Sequence, residues 1–146
     1  MLHSYVANWL HIIWSTKDRE RIIGKEKAIK IRSHLLEHAI EIECPIETIN
    51  IQPEHLHILL NLPSSINLDD ILKKLKGESS HWINSEKLFR GHFHWQKGYG
   101  AFSVSASQID TVKKYIKNQA EHHRKKTFVE EYDTILKKYG FEEFIT

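Results

Sequence analysis

The chain has 146 residues, 40% hydrophobic and 27% charged, with a net charge of +2 when its eleven histidines are neutral. These are values for one globular domain that buries a core without staples, and the mildly basic balance permits a polyanionic partner without requiring one. One cysteine, Cys44, excludes an internal disulfide and a cysteine-based zinc cluster, and with no leader-like start and no apolar run near the roughly 18 residues of a membrane span the expected location is the cytoplasm.

In chain order, the aromatic and β-branched run 5–16 predicts a strand. Residues 25–43 place Ala28, Ile31, Leu35, Ala39 and Ile42 at spacings of three and four, the pattern of an amphipathic helix, and Pro45 stops it. Two strand-like runs, 46–52 and 55–62, flank Pro53-Glu54 as a hairpin. In 63–89, Asn67 is suited to cap a helix whose stripe is Ile71, Leu72, Leu75, Trp82 and Ile83. A short strand is expected within 98–105. Ser107 and Asp110 then resemble a capping box opening a helix over 108–126, with Ile109, Val112, Ile116 and Ala120 facing the core. A last amphipathic segment, 128–141, ends at Gly140 as its cap. The order β-α-β-β-α-β-α predicts an α+β, ferredoxin-like (RRM-like) antiparallel sheet with helices packed on one face. One domain, 1–146, is expected, with about 127–146 as a C-terminal helical tail.

Strand alternation puts Leu56, Ile58 and Leu60 on one side of the second hairpin strand and His55, His57 and Leu59 on the other. The aliphatic trio belongs to the core, so the two imidazoles share the opposite face. Such a pair is half of a metal site, a clamp for phosphate, or two unrelated half-exposed histidines. A second pair, His92 and His94, lies in a glycine-flanked basic loop, where histidines need no special explanation. Glu54 precedes His55 and is expected to point to the other face. On the helix from 108, at about 100° per residue, Gln119 lies some 40° from Tyr115 and His122 about 20° to its other side. Tyr115 and Gln119 therefore edge the buried face, one turn apart. A phenol is a poor nucleophile at neutral pH unless a cation stabilises the charge developing on a phosphodiester. Two imidazole nitrogens and an amide oxygen form a donor set open to Zn, Mn, Fe or Ni on ligand type alone.

The stretches HLHILLNLP, LKGESSHWIN, WQKGYGAFSVS and VKKYIKNQ with HHRKK together resemble the single-tyrosine HUH transposases, in particular the small insertion-sequence (IS200-like) and REP-associated tyrosine transposases. The resemblance implies a transposase-type endonuclease and strand transferase acting on single-stranded, hairpin-containing DNA. In it Tyr115 is the nucleophile that forms a 5′-phosphotyrosine intermediate. His55, His57 and Gln119 hold Mg²⁺ or Mn²⁺, and the protein acts as a homodimer. Three basic clusters suit a phosphate backbone: around Lys17 and Arg19, around Lys73 and Lys76, and from Lys114 to Arg124. Trp95 and Tyr99, beside glycines, are candidates for stacking on unpaired bases, whereas Trp82 is expected in the core. The alternative is a catalytically silent nucleic-acid-binding module on the same fold. A metallohydrolase acting on free nucleotides ranks last, for want of a carboxylate near the histidines.

Overall fold

A computed structural model describes residues 4–141; the last residues of the expected C-terminal tail, 142–146, lie outside the described residues. The hairpin is strands β2 (Ile46–Ile51) and β3 (His55–Asn61), closed by the Gln52 N–H donating to the His55 carbonyl at 2.8 Å. Strand β1 (Trp9–Ser15) pairs antiparallel with β3, and β4 (Gly100–Ser103) pairs antiparallel with β1. The sheet order is β2-β3-β1-β4. Each strand is shorter than its apolar run suggests, because pairing ends where the neighbour ends.

Register puts Ile12 opposite Ile58 and Leu10 opposite Leu60. With Trp14, Leu56 and Ile49 they form one continuous apolar face. Helices α1 (Lys25–Glu41) and α2 (Leu68–Ser85) cover that face through Ile31, Leu35 and Ala39, and through Ile71, Leu72, Leu75 and Ile83. Asn67 caps α2 as its sequence position predicts, accepting from the Asp69 and Asp70 N–H groups. This is the α+β antiparallel sheet expected from the element order. Cys44 is buried in the core as a free thiol.

The C-terminal third adds helices on the other face. The helix expected over 108–126 is broken: α3 (Ile109–Lys117) and α4 (Gln119–His122) meet at Asn118, whose φ of −95° and ψ of 22° leave the helical region. The break reassigns the buried face. Ile116 is buried as expected, but Ala120 is exposed and Gln119 is fully buried in its place. The Ser107 capping box does not form; residues 106–108 make a 3-10 turn, and the Ser107 hydroxyl lies against Ser105. A capping box is present two helices later, between Thr127 and Glu130, at the start of α5 (Phe128–Lys138). Helix α5 ends before Gly140, whose φ of 85° suits the residue that follows a helix terminus.

A second apolar cluster, Ile13, Phe102 and Phe128 with Tyr132, Ile135 and Leu136, fastens α5 to the sheet. Gly100 makes this close approach possible: a Cβ there would lie 2.5 Å from the Tyr132 hydroxyl and 2.8 Å from the Phe102 ring. The sheet face carrying the histidines is thus roofed by α3, α4 and α5.

Candidate metal centre and nucleophile

His55 and His57 are fully buried on the roofed face of β3. Each ring is held at Nδ1, which aims its Nε2 at one common point. Glu54 Oε1 lies 2.6 Å from His55 Nδ1. A carboxylate only accepts, so this contact puts the proton on Nδ1 and leaves a lone pair on Nε2. The expectation that Glu54 points away is therefore corrected. Glu54 closes the tight hairpin turn, where strict alternation lapses, and its side chain folds back to the first histidine; Arg21 pairs with its other oxygen. Burial works to raise Glu54, but the hydrogen bond and charge of His55, with Arg21, outweigh it and hold the carboxyl below its usual range. His57 Nδ1 sits 2.7 Å from Nε2 of His11, a buried residue of β1.

Burial, with the neighbouring His57 second, lowers His11 to about 3. Burial also dominates at His57 and lowers it to about 4, against the opposing pull of Glu131. Both rings are therefore neutral at physiological pH, the state in which an imidazole binds a metal.

Gln119 arrives from α4. Its Oε1 lies 3.3 Å from His55 Nε2, and its Nε2 donates to Glu131 Oε2 at 3.0 Å. Glu131, from α5, is buried among the histidines: its Oε1 is 3.3 Å from His57 Nε2 and 3.6 Å from His55 Nε2. His55 Nε2 thus faces two oxygen acceptors with no proton of its own to give. Such a convergence of lone pairs suits a cation, and the ligand atoms of His55, His57 and Glu131 all lie within 4.8 Å of one another. The residues fit a divalent ion.

The Tyr115 hydroxyl donates to Glu131 Oε2, and its ring packs edge-on to His57 at 5.8 Å and to His11 at 6.0 Å. Burial first, and the Glu131 carboxylate second, push this phenol well above its ordinary range. For Glu131, burial acts upward, but His57, Tyr115 and Gln119 together hold the carboxyl well below the usual range. The His122 ring lies 4.6 Å from the Tyr115 ring, tilted by 40°. One structure therefore brings together Tyr115, His55, His57 and Gln119 within a single chain.

Three further groups at the centre were not legible as site residues: Glu131, His11 and His123. A signal existed for Glu131. Residues 128, 131, 132 and 135 form one helical stripe, and Glu131 is the charged member among Phe128, Tyr132 and Ile135.

A cavity of about 670 Å³ opens beside Tyr115, with Gln108, Thr111, Lys126 and Lys138 on its walls. On the other flank of α5 a second cleft of about 540 Å³ brings Arg19 and Tyr99 together with Lys97. Arg19 lies over the Phe128 ring at 5.3 Å. The remaining basic candidates divide. Lys17 and Lys114 are exposed. Lys73 pairs with Asp69 at 3.0 Å, and Arg124 with Glu121 at 3.6 Å. Lys76 is committed to structure, donating to the Gln96 and Gly98 carbonyls at 2.8 and 2.6 Å. Trp95 departs from its expected role. It is 8% exposed, edge-on to Trp14 and donating to the Ser79 hydroxyl, which leaves no free face for a base. Trp82 stacks on His34, half-buried against the core as expected. His92 and His94 stay together on the surface loop, away from the centre.

Residues 4–119 match the family described as Transposase IS200 like. The ISDra2 transposase TnpA of Deinococcus radiodurans is 29% identical over 115 residues, covering 75% of this chain and 81% of that protein. A crystal structure of a candidate transposase from Deinococcus radiodurans R1 superposes with a TM-score of 0.64 at 26% identity, over 82% of this chain and 96% of that one. A REP-associated tyrosine transposase bound to a REP hairpin shares the fold, with a TM-score of 0.60 at 14% identity over 84% and 73% of the two chains.

Proposed function

The chain belongs to the IS200-like transposase family, and on that premise we propose that it nicks and rejoins single-stranded DNA with Tyr115 as nucleophile. The observation that carries this reading is the meeting of the Tyr115 hydroxyl, His55, His57 and Gln119 around one buried point. The phenol oxygen forms a bond to the scissile phosphorus as the bond from phosphorus to the 3′-oxygen breaks. The departing oxygen takes a proton, and the phenol gives one up to water in the adjoining cavity. The products are a 5′-phosphotyrosine and a free 3′-hydroxyl, and attack by a 3′-hydroxyl reverses the step for strand transfer. His55, His57 and Gln119 would hold Mg²⁺ or Mn²⁺, which when bound neutralises the phosphate oxygens and stabilises the charge that develops on them.

A hairpin-containing single strand is the proposed substrate, by analogy with the hairpin-bound relative of the same fold. Arg19 and Tyr99, facing one cleft beside α5, are the groups best placed to meet it. Lys17, Lys114 and Arg124 lie on exposed surface available to the phosphate backbone. A homodimer is proposed as the working assembly, and light scattering across a concentration series checks it. A cytoplasmic location belongs to the same proposal; among the described residues no helix is long and apolar enough to cross a membrane.

The second reading is a catalytically silent DNA-binding module. It is favoured by the hold of Glu131 on Tyr115, which keeps the phenol protonated. Incubation with labelled hairpin DNA pools and Mn²⁺ separates the two. A denaturant-stable adduct that disappears in Tyr115→Phe, while binding persists, supports catalysis. An adduct that survives the substitution refutes Tyr115 as nucleophile, and salt-sensitive binding with no adduct supports the silent module.

A further inference from the structure

Glu131 and His123 are not needed by the reading above, yet both reach its centre. His123 Nε2 lies 3.1 Å from Gln119 Oε1 and 3.2 Å from Glu131 Oε1. Its ring sits against His55, with centroids 4.7 Å apart. Glu131 Oε1 is 3.3 Å from His57 Nε2 and 3.6 Å from His55 Nε2. Around a first-row divalent ion with bonds of about 2.1 Å, neighbouring ligand atoms sit roughly 3.0 Å apart in octahedral and 3.4 Å apart in tetrahedral geometry. Three of these separations, 3.1, 3.2 and 3.3 Å, fall within that spacing, and the fourth, at 3.6 Å, lies just outside it.

We propose that Glu131 and His123 ligate the same divalent ion as His55, His57 and Gln119, all from one chain, and that this set takes Mn²⁺-class ions in preference to Mg²⁺. The proposal rests on the metal-assisted reading above. The preference follows from donor type: three imidazoles and one carboxylate suit first-row transition ions, whereas Mg²⁺ retains waters and favours oxygen donors. The two added ligands are positioned by local structure. The break at Asn118 turns Gln119 and His123 inward together, four residues apart. Phe128 stacks on His55 at 4.0 Å and 9°, which sets the depth at which Glu131 enters, one turn further along α5. Glu131 is also bonded to Tyr115 through its other oxygen. A ligand shared in this way ties the position of the nucleophile to that of the ion.

The test is Mn²⁺ binding by the full chain after chelation, read as loss of the free-ion electron paramagnetic resonance signal. Mg²⁺ is then added as competitor. Glu131→Gln and His123→Gln keep side-chain size and hydrogen bonding, and circular dichroism verifies their fold; His57→Ala serves as the reference. One bound Mn²⁺ in the natural chain is expected. Each Gln variant should weaken it about tenfold or more, His57→Ala should do so at least as much, and a hundredfold excess of Mg²⁺ should not displace it. Weak d–d absorption of Co²⁺ in the same variants gives a second readout, expected to change in shape as ligands are lost. Gln variants that bind Mn²⁺ as the natural chain does, with His57→Ala defective, overturn this proposal and leave the His55, His57 and Gln119 reading intact. Tighter hairpin binding in Glu131→Gln with unchanged Mn²⁺ affinity also overturns it, placing the carboxylate where a phosphate goes. Displacement by equimolar Mg²⁺ overturns the preference. A natural chain that binds no ion, or a His57→Ala variant that binds as well, sinks the metal reading itself and this proposal with it.

Discussion

Acidifying the metal-free protein from pH 7 to pH 5 should remove about 3–4 kcal/mol of folding stability, through His11 and His57 alone. Both rings are buried, and their folded values of about 3 and about 4 lie below the ordinary 6.5. A depressed value means that the unfolded chain binds protons the folded chain refuses. Stability is then full above 6.5 and falls as pH drops toward the folded values. Between those limits each ring contributes a slope of about 1.4 kcal/mol per pH unit, so that at pH 5 each has lost about 2 kcal/mol. The two are in contact, and their sum is an upper figure. Against a typical total of about 5–15 kcal/mol the effect is large. Glu131 and Glu54 are also depressed, but their ordinary value of 4.5 delays their share to more acid conditions. The assay is urea unfolding at half-unit pH steps in the presence of chelator. It should show proton uptake on unfolding of about two per molecule near pH 5 from these rings. His11→Gln, which can still bond His57, should reduce that slope by about half. A stability that is level from pH 7 to pH 5 refutes the burial argument for both rings.

Ile58→Ala deletes a fully buried side chain facing α1 and α2, and should cost about 2–5 kcal/mol in urea unfolding. Gly100→Ala drives a methyl group into the Tyr132 hydroxyl and the Phe102 ring. It should cost about 1–3 kcal/mol and raise hydrogen exchange in α5 ahead of α1. Arg19→Ala should weaken hairpin binding on all sequences alike and lower the slope of log affinity against log salt by about 1, read by fluorescence anisotropy. An unchanged slope would remove Arg19 from the phosphate contacts.

The sheet was legible because its signals are local. The aliphatic trio of β3 and the stripes of α1 and α2 each carry a period that only one face can satisfy. That His55 and His57 share the face opposite the aliphatic trio followed from the same alternation, but their full burial depends on the roof. What pattern could not reveal was the break at Asn118, since a residue in ordinary helical sequence leaves the helix only because tertiary contacts reward it. The stripe containing Ala120 presumes a straight helix, and Gln119 is buried because the helix is not straight. Trp95 misled for a related reason. Its glycine-rich neighbourhood reads as a loop, but an isolated bridge from Thr16 to Trp95 ties that loop to the end of β1, where Trp95 packs on Trp14. Glu54 and His11 depend on turn geometry and on cross-strand neighbours, which no single-strand period encodes.

The buried carboxylate of Glu131 shows how the pieces depend on one another. An isolated charge at that depth would be costly, and a carboxyl without partners would take up a proton instead. Glu131 remains charged because His57, Tyr115, Gln119 and His123 all approach it. Those partners come from β3, α3, α4 and the turn after α4, so the charge is stabilised only when the whole roof is in place. The roof in turn is seated by apolar contacts, with Phe102 and Tyr132 meeting across Gly100. Loosening that seat should therefore weaken the centre without touching any of the polar groups that meet there. In Gly100→Ala, the acid sensitivity assigned to His11 and His57 should shrink together with stability, because rings that gain water recover their ordinary values. A variant that loses stability but keeps the full pH slope would show that the histidines are shielded by the sheet alone, and that α5 is not what buries them.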